Sequence, residues 1–247
     1  MILLVDIGNS RIKWACAGDG EIGSPRAFPR PRLAHARAFE QAWCGLTPSA
    51  VAVCCVAGVE TVDALAQWTY FAWGIRPLRL RTRAREGHIV CGYPDPSCLG
   101  ADRWANLIGA RALVGETDTQ VVDAGTAVTV DALRGDGQHL GGAILTGLDA
   151  SRRALLTAAP GLPEAFSEDG LPSRHTSGAI GMGTLVGLAG AIERVAGEVG
   201  GGLHRPRRLL TGGDAERLAP YLSPDWEWEP CLTLQGLYSV SDERCAG

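Results

Sequence analysis

The sequence predicts an α/β protein built from two similar domains that face one another across a cleft, and three observations carry that prediction. The first is an internal repeat. Ile2-Leu3-Leu4-Val5 runs into Asp6-Ile7-Gly8-Asn9-Ser10 and then an alternating segment, Arg11–Cys16. The same design returns in Gln120-Val121-Val122-Asp123-Ala124-Gly125-Thr126, followed by Ala127–Ala132. Each copy reads as a short apolar strand tipped by a carboxylate, a glycine where the chain turns, a polar residue and a return strand. The second observation is the alternation of strand-like and helix-like patterns between and after the copies. The third is size: 247 residues, 46% hydrophobic and 20% charged, are enough for two medium domains with a core in each. The boundary is expected at Gly115-Glu116-Thr117-Asp118-Thr119, giving domains 1–116 and 117–247.

The elements follow in order. Ala50–Val56 is a short buried strand, Glu60–Trp73 has helical spacing, and Pro77–Arg83 is extended. Asp102–Val114 is an amphipathic helix with Trp104, Leu107, Ile108 and Ala112 along one side. After the second hairpin, Leu140–Leu148 is a glycine-rich strand and turn, and Ser151–Ala158 is a helix that stops before Pro160. Gly161–Ser173, rich in proline, glycine and acidic residues, is a loop and the segment expected to be most mobile. Thr184–Val199 is a long apolar helix whose Gly187, Ala189, Gly190 and Ala191 would let a second helix pack closely or would equally suit an ordinary core helix. Arg208–Thr211 is a strand leading to Gly212-Gly213, and Asp214–Leu222 is a short helix.

Composition argues against several function classes. The formal net charge is -4, the pI is near 5.7 and no dense basic run is present, so no nucleic-acid partner is expected. Arg79, Arg81, Arg83 and Arg85 alternate as a solvated edge would. No apolar stretch is expected to span a bilayer, and Asp6 interrupts the first apolar run, so neither a membrane partner nor a signal peptide is expected. The eight cysteines include no CxxC, and Cys54-Cys55 lies inside the apolar run Val51–Val56, which points to thiols in a reducing cytoplasm. The five histidines lack metal-ligand spacing, and neither a P-loop nor a GxGxxG fingerprint occurs.

Lys13 is the only lysine among the 23 basic residues. In a chain that otherwise uses arginine, a lone lysine marks a place where a compact point charge is needed and a planar fork will not serve. Two carboxylate-tipped hairpins facing a cleft suit phosphoryl transfer, which needs donors around the phosphates, a bridging cation and a group to take the acceptor's proton. Asp6 and Asp123 are candidates to hold a cation directly or through water. Gly8, Asn9, Ser10, Gly125 and Thr126 would cradle phosphates, with Lys13 reaching the transferred group. A second constellation is Tyr93-Pro94-Asp95-Pro96-Ser97-Cys98-Leu99-Gly100-Ala101-Asp102-Arg103. Asp102 could take a hydroxyl proton, cap the following helix, or both, and Arg103 could bind an anionic group as a fork. Gly212-Gly213 would let a base or ribose approach the backbone, or would simply turn the chain.

Asp6-Ile7-Gly8-Asn9-Ser10-Arg11-Ile12-Lys13, Gly100-Ala101-Asp102-Arg103 and Asp123-Ala124-Gly125-Thr126-Ala127 resemble, in order, the first phosphate motif, the pantothenate motif and the second phosphate motif of type III pantothenate kinases. These belong to the actin/hexokinase/Hsp70-like superfamily. The resemblance runs from residue 2 to about residue 240. It implies two actin-like (ribonuclease H-like) domains of mixed sheets flanked by helices, with ATP in the interdomain cleft. It also implies ATP-dependent phosphorylation of pantothenate to 4'-phosphopantothenate, the first step of coenzyme A synthesis, with Mg2+ and a monovalent cation, K+ or NH4+. By the same resemblance Asp102 matches the catalytic base and Tyr93 a substrate contact, with Gly100, Ala101, Asp102 and Arg103 forming the pantothenate loop. Asp6 to Lys13 and Thr126 match ATP-binding positions, Asp6 is a candidate Mg2+ ligand, and Asp123 matches the monovalent-cation ligand. Thr176 matches a threonine that reaches pantothenate from the neighbouring subunit of a homodimer. Ser10 stands where threonine is usual, and His175 where asparagine is common. A regulatory, transcription-accessory relative of the same fold is the alternative, which the presence of Asp6, Lys13, Asp102, Arg103, Asp123 and Thr126 argues against.

Overall fold

The structure is a computed structural model. It describes residues 1–30 and 35–245, with side chains described up to residue 241. The chain divides into two compact units, Met1–Gly115 with Cys231–Gly247, and Glu116–Pro230. In the first unit, β1 (Ile2–Ile7) and β2 (Arg11–Gly18) form the expected hairpin, with Asp6 opposite Lys13. Two short strands, β3 (Glu21–Ile22) and β4 (Arg26–Pro29), pair with β2. After α1 (His35–Trp43), β5 (Ala50–Cys55) comes back parallel to β1. After α2 (Val59–Trp73), β6 (Leu78–Arg79) lies parallel to β5, giving the order β3-β2-β1-β5-β6. A small hairpin of β7 (Arg85–Glu86) and β8 (Ile89–Val90) and then α3 (Ala101–Val114) complete this stretch.

Strand alternation divides the sheet's residues between two faces. Leu3, Val5 and Ile7 of β1, Ile12 and Trp14 of β2, and Val51 and Val53 of β5 form one buried cluster with Phe39 and Trp43 of α1 and Val62 and Leu65 of α2. Phe39 stacks on Trp43 with ring centroids 5.0 Å apart, and Trp14 meets Trp43 edge-on at 6.2 Å. Asp6 and Lys13 alternate onto the opposite face, the one that α3 approaches across β5. The aromatic packing therefore fixes which way the two charged residues point.

The second unit repeats the design. β9 (Thr119–Ala124), β10 (Ala127–Leu133) and β11 (His139–Thr146) form an antiparallel meander. Next come α4 (Leu148–Ala158) and α5 (Thr176–Val199), then β12 (Arg207–Thr211) parallel to β9. The short helix α6 (Ala215–Leu218) and β13 (Trp226–Trp228), parallel to β12, close the order β11-β10-β9-β12-β13. Position for position this is the order of the first sheet: an antiparallel meander, then two parallel strands beside its first strand. Val122, Val128, Val130 and Leu210 pack against Leu185, Leu188, Ile192 and Ala196 of α5.

Helix α5 begins at Thr176, where the sequence pattern placed the start at Thr184. Gly178, Gly181 and Gly183 look like helix breakers, yet Gly181 is required. A Cβ there would stand 2.0 Å from the Ser167 carbonyl oxygen. The longer helix also corrects the expectation that no stretch is long and apolar enough to cross a bilayer. By length and composition α5 is, and its buried residues spend that apolar character on the sheet of their own unit.

The expected division at residue 116 is corrected at its far end. The last helix, α7 (Leu232–Cys245), packs on α3 in the first unit. The two helices meet backbone to backbone. A Cβ on Gly236 would lie 1.9 Å from the Ala105 carbonyl oxygen, and one on Gly109 would lie 2.2 Å from that of Leu232. Beside this crossing, the Thr233 hydroxyl donates to Asn106 Oδ1 at 2.8 Å. Gly236→Ala is therefore expected to destabilise the protein by about 1–3 kcal/mol or more, because both clashing atoms are backbone and the helices must separate. Urea unfolding of the variant beside the parent measures this, and an unchanged midpoint would show that the crossing yields without cost.

Candidate active site

In the first unit the β1–β2 turn is closed by the Gly8 N–H, which donates to the Arg11 carbonyl at 3.0 Å, and Asn9 and Ser10 are exposed at its tip. Arg30, at the end of β4, grips that tip twice. Its backbone N–H donates to the Ser10 carbonyl and its Nε to the Asn9 carbonyl, both at 2.9 Å. Sequence reasoning missed Arg30, because strand pairing rather than proximity along the chain brings it there. The ends of β1 and β5 are tied by the Val56 N–H donating to the Ile7 carbonyl at 3.2 Å. The Gly100 loop stands beside that point: a Cβ on Gly100 would be 3.9 Å from Val56 Cγ1 and 2.6 Å from Asp102 Oδ1. The carboxylate-tipped turn and the Gly100–Arg103 motif thus meet at the same end of one sheet.

The approach to α3 is built by its own side chains. Asp95 accepts from the Ser97 N–H at 2.9 Å and from the Ser97 hydroxyl at 2.7 Å. The Ser97 hydrogen bonds hold the Asp95 carboxyl below the ordinary carboxylate range. The Thr82 hydroxyl donates to the Leu99 carbonyl at 2.7 Å, and the Leu99 side chain is buried. The N-cap of α3 is Gly100, which corrects the reading of Asp102 as the cap. Asp102 stands in the first turn, at the positive end of the helix dipole, and its Oδ1 accepts from the Arg103 N–H at 2.7 Å. Arg103 is 4% exposed; its Nη1 donates to the Tyr93 hydroxyl at 2.9 Å and its guanidinium carbon lies 5.5 Å from the centre of that ring. Tyr93 and Arg103, ten positions apart, are in contact.

In the second unit three turns converge. The Gly125 N–H donates to the Ala127 carbonyl at 3.1 Å, the Gly147 N–H to the Thr126 carbonyl at 3.2 Å, and the Asp214 N–H to the Ala124 carbonyl at 2.9 Å. A Cβ on Gly147 would lie 2.2 Å from the Gly125 carbonyl oxygen, and one on Gly212 would lie 2.3 Å from that of Ala124. Gly212 also has φ +104°, a conformation open to glycine. The register of β9 and β12 sets Thr211 against Asp123. Asp123, Gly125, Thr126, Gly212 and Gly213 are therefore neighbours. Gly147 joins them unforeseen, although a glycine between a strand and a helix start was a signal that Gly100 and Gly213 had already given.

Thr176 is exposed at the first turn of α5. His175 before it is the N-cap: its Nδ1 accepts from the Gly178 N–H at 3.0 Å, so the ring proton sits on Nε2, which donates to Asp169 Oδ2 at 2.8 Å. That hydrogen bond holds the Asp169 carboxyl below its ordinary range. His175 thus caps the helix through a ring nitrogen. The 161–173 segment, expected to be the most mobile, is tied down at Glu168 by Arg152, whose Nη2 donates to Oε1 at 2.7 Å, and by Arg217. Burial pushes the Glu168 carboxyl up, but the hydrogen bonds from Arg152 and Arg217 outweigh it and hold it below the ordinary glutamate value.

Among the described residues no three His, Cys, Asp or Glu side chains gather closely enough to hold a metal ion alone. Asp6 and Asp123 each offer one carboxylate at a strand end. A single carboxylate of this kind, in either unit, fits a hard cation completed by phosphate oxygens and water rather than an all-protein cage.

Residues 2–198 match the model of the type III pantothenate kinase family. The chain belongs to that family. It is a phosphotransferase, and curated relatives support this over almost the whole length. A type III pantothenate kinase from Nitrosococcus oceani is 37% identical, covering 98% of this chain and 94% of that protein. One from Halorhodospira halophila is 39% identical, covering 96% of each. The fold is shared more widely: a ROK family glucokinase from Streptomyces griseus, solved with glucose and AMPPNP, matches 99% of this chain and all of its own with a TM-score of 0.55 at 15% identity. The actin/hexokinase-like fold, with mixed sheets flanked by helices, is thus established.

Gly212→Ala is expected to weaken nucleotide binding roughly tenfold or more while lowering stability by about 1–3 kcal/mol, since the new methyl meets a fixed carbonyl and the backbone is strained. Titration with a fluorescent ATP analogue, beside a thermal melt, measures both. Unchanged affinity would remove this turn from the nucleotide site.

Proposed function

We propose that this chain transfers the γ-phosphoryl group of ATP to the hydroxyl of pantothenate, giving 4'-phosphopantothenate and opening coenzyme A biosynthesis. The observation that carries this reading is the meeting of the Gly100–Arg103 motif with the Asp6–Lys13 turn at one end of the first sheet. Family membership supplies the substrate. Arg103, buried against Tyr93, is rigid enough to orient a small anionic acceptor such as the pantothenate carboxylate. Asp102, its plane set by the Arg103 N–H, accepts the hydroxyl proton as the new P–O bond forms and the bond to ADP breaks. Asn9 and Ser10 with Arg30 behind them, together with Thr126, present donors to the phosphates, while Gly8 and Gly125, whose N–H groups close the two turns, leave room for the phosphates to come close to the backbone. Lys13 reaches the transferred group. Gly212-Gly213 takes the ribose or base. Mg2+, through Asp6 and phosphate oxygens, and K+ or NH4+ at Asp123 would neutralise charge that builds up in transfer.

The protein acts as a cytoplasmic homodimer in this reading, with Thr176 completing the partner's pantothenate site. Its support is the outer side of α5, where Gly183, Gly187 and Gly190 are exposed and nothing lies within 4 Å of where a Cβ would stand. Such a surface lets a second helix come close.

An ADP-release assay with pantothenate and a panel of other small hydroxy compounds, with and without K+, tests the activity. A regulator that had lost the chemistry would release no ADP. Asp102→Asn is expected to lower kcat by about 10²–10⁴ with ATP affinity nearly unchanged. Turnover within a few-fold of the parent would leave Asp102 no part in the proton transfer. Mixing an inactive Asp102→Asn protein with an inactive Thr176→Ala protein should restore activity by subunit exchange, because one composite site in the mixed dimer is intact. A fully active monomer by light scattering would rule out the shared site.

A further inference from the structure

Between the Gly212–Asp214 turn and the first turns of α5 runs a chain of ion pairs, all within the second unit. Arg217 of α6 donates through Nη1 to Asp214 Oδ1 at 3.2 Å, lies 3.9 Å from Asp149 at the start of α4, and through Nη2 pairs with Glu168 Oε1. That same oxygen accepts from Arg152 Nη2 at 2.7 Å. Arg152 is 6% exposed and continues into α5. Its Nη2 donates to the Gly181 carbonyl at 2.8 Å and its Nε to the Thr184 hydroxyl at 2.9 Å, and the guanidinium lies 5.3 Å from the Phe166 ring centre. One carboxylate is thus shared between two guanidinium groups, one beside the glycine turn and the other reaching from α4 to Gly181 and Thr184 of the helix that begins at Thr176. The loop carrying Glu168 cannot slide independently of that helix, since Ser167 is in contact with Gly181 and the Ser177 hydroxyl donates to the Ala165 carbonyl.

The two halves of this chain differ in stiffness. On the helix side Arg152 is buried and held at three points. On the turn side Arg217 and Glu168 are 37% and 30% exposed, and Arg217 faces three carboxylates at once. A ligand that moves Asp214 changes how Arg217 divides itself among Asp214, Asp149 and Glu168, and the change at Glu168 passes to the rigid half. We propose that Glu168 is a positioning residue that couples the two substrates across the dimer: nucleotide at the Gly212–Asp214 turn of one protomer and pantothenate in the partner's site, reached by that protomer's Thr176, each tighten the binding of the other through it. The inference rests on the functional reading above for what sits at the two ends of the chain. Linkage makes the effect reciprocal.

The test is calorimetric titration of the full-length protein with pantothenate, without and with a saturating non-hydrolysable ATP analogue, and the converse titration. The parent is expected to show coupling of about five-fold or more, the same factor in both directions. Arg217→Ala cuts the turn side and leaves Arg152 its bonds to Glu168, Gly181 and Thr184, so it decides the matter even if Glu168→Ala folds poorly. In both variants the coupling should fall below about two-fold while each ligand alone binds within about two-fold of the parent, and the double variant should lose nothing further. A purely structural role would lower the melting temperature and leave the ratio intact. Coupling that is absent from the parent, or undiminished in Arg217→Ala, overturns the proposal while leaving the kinase reading standing if the parent still releases ADP with pantothenate. A parent that neither binds nor phosphorylates pantothenate overturns both.

Discussion

Bringing the ends of β9 and β12 together demands that backbone touch backbone with no side chain between, and much of the second unit follows from that demand. Ala124, Gly125 and Thr126 leave the sheet, and the chain returns against them at Gly147 and again at Gly212, each time where a single methyl would strike a carbonyl oxygen. The result is three turns locked together by the Gly125, Gly147 and Asp214 N–H groups, beside Asp123 and Thr126. The same constraint sets the helices, for Gly147 is the N-cap of α4 and α6 begins just past Gly213.

The first unit solves the same problem with a different balance. Its sheet is fixed by a cluster of Phe and Trp rings on one face, which leaves Asp6 and Lys13 to the other. On that other face the crossing of α3 and α7 at Gly109 and Gly236 sets where α3 lies, and therefore where Gly100 and Asp102 stand at its start. A C-terminal segment far from any motif thus places the candidate base. Arg30 does comparable work at the β1–β2 turn, holding the Asn9 and Ser10 carbonyls at its tip. Both supports come from segments that carry no recognisable signature.

Both buried guanidinium groups named above meet acceptors. Arg103 is buried against Tyr93, and Arg152 against Glu168 and the backbone of α5, so neither guanidinium is left without acceptors in a dry setting. The arginine edge expected at residues 79–85 is largely exposed, with Arg83 4.0 Å from Glu86, and has no part in the candidate site.

The repeat of Asp6 and Asp123, the two α/β halves, most strands and the residues of the three motifs were determined by the sequence itself. These depend on local patterns: alternation, a carboxylate at a strand end and a glycine at a turn all act over a few residues. Tertiary structure alone decided the rest. That α5 begins at Thr176 follows from Gly181 fitting against Ser167, which turns apparent helix breakers into requirements. That residues 231–247 join the first unit follows from Gly236 fitting against Ala105. Asp102 gave up the cap to Gly100, and His175 took one at α5, because caps are settled by which group reaches the first N–H donors. Arg30, Gly147 and the Arg152–Glu168–Arg217 chain were invisible for one reason: they act between segments far apart in the chain, and no local pattern encodes which distant backbone atom a residue will meet.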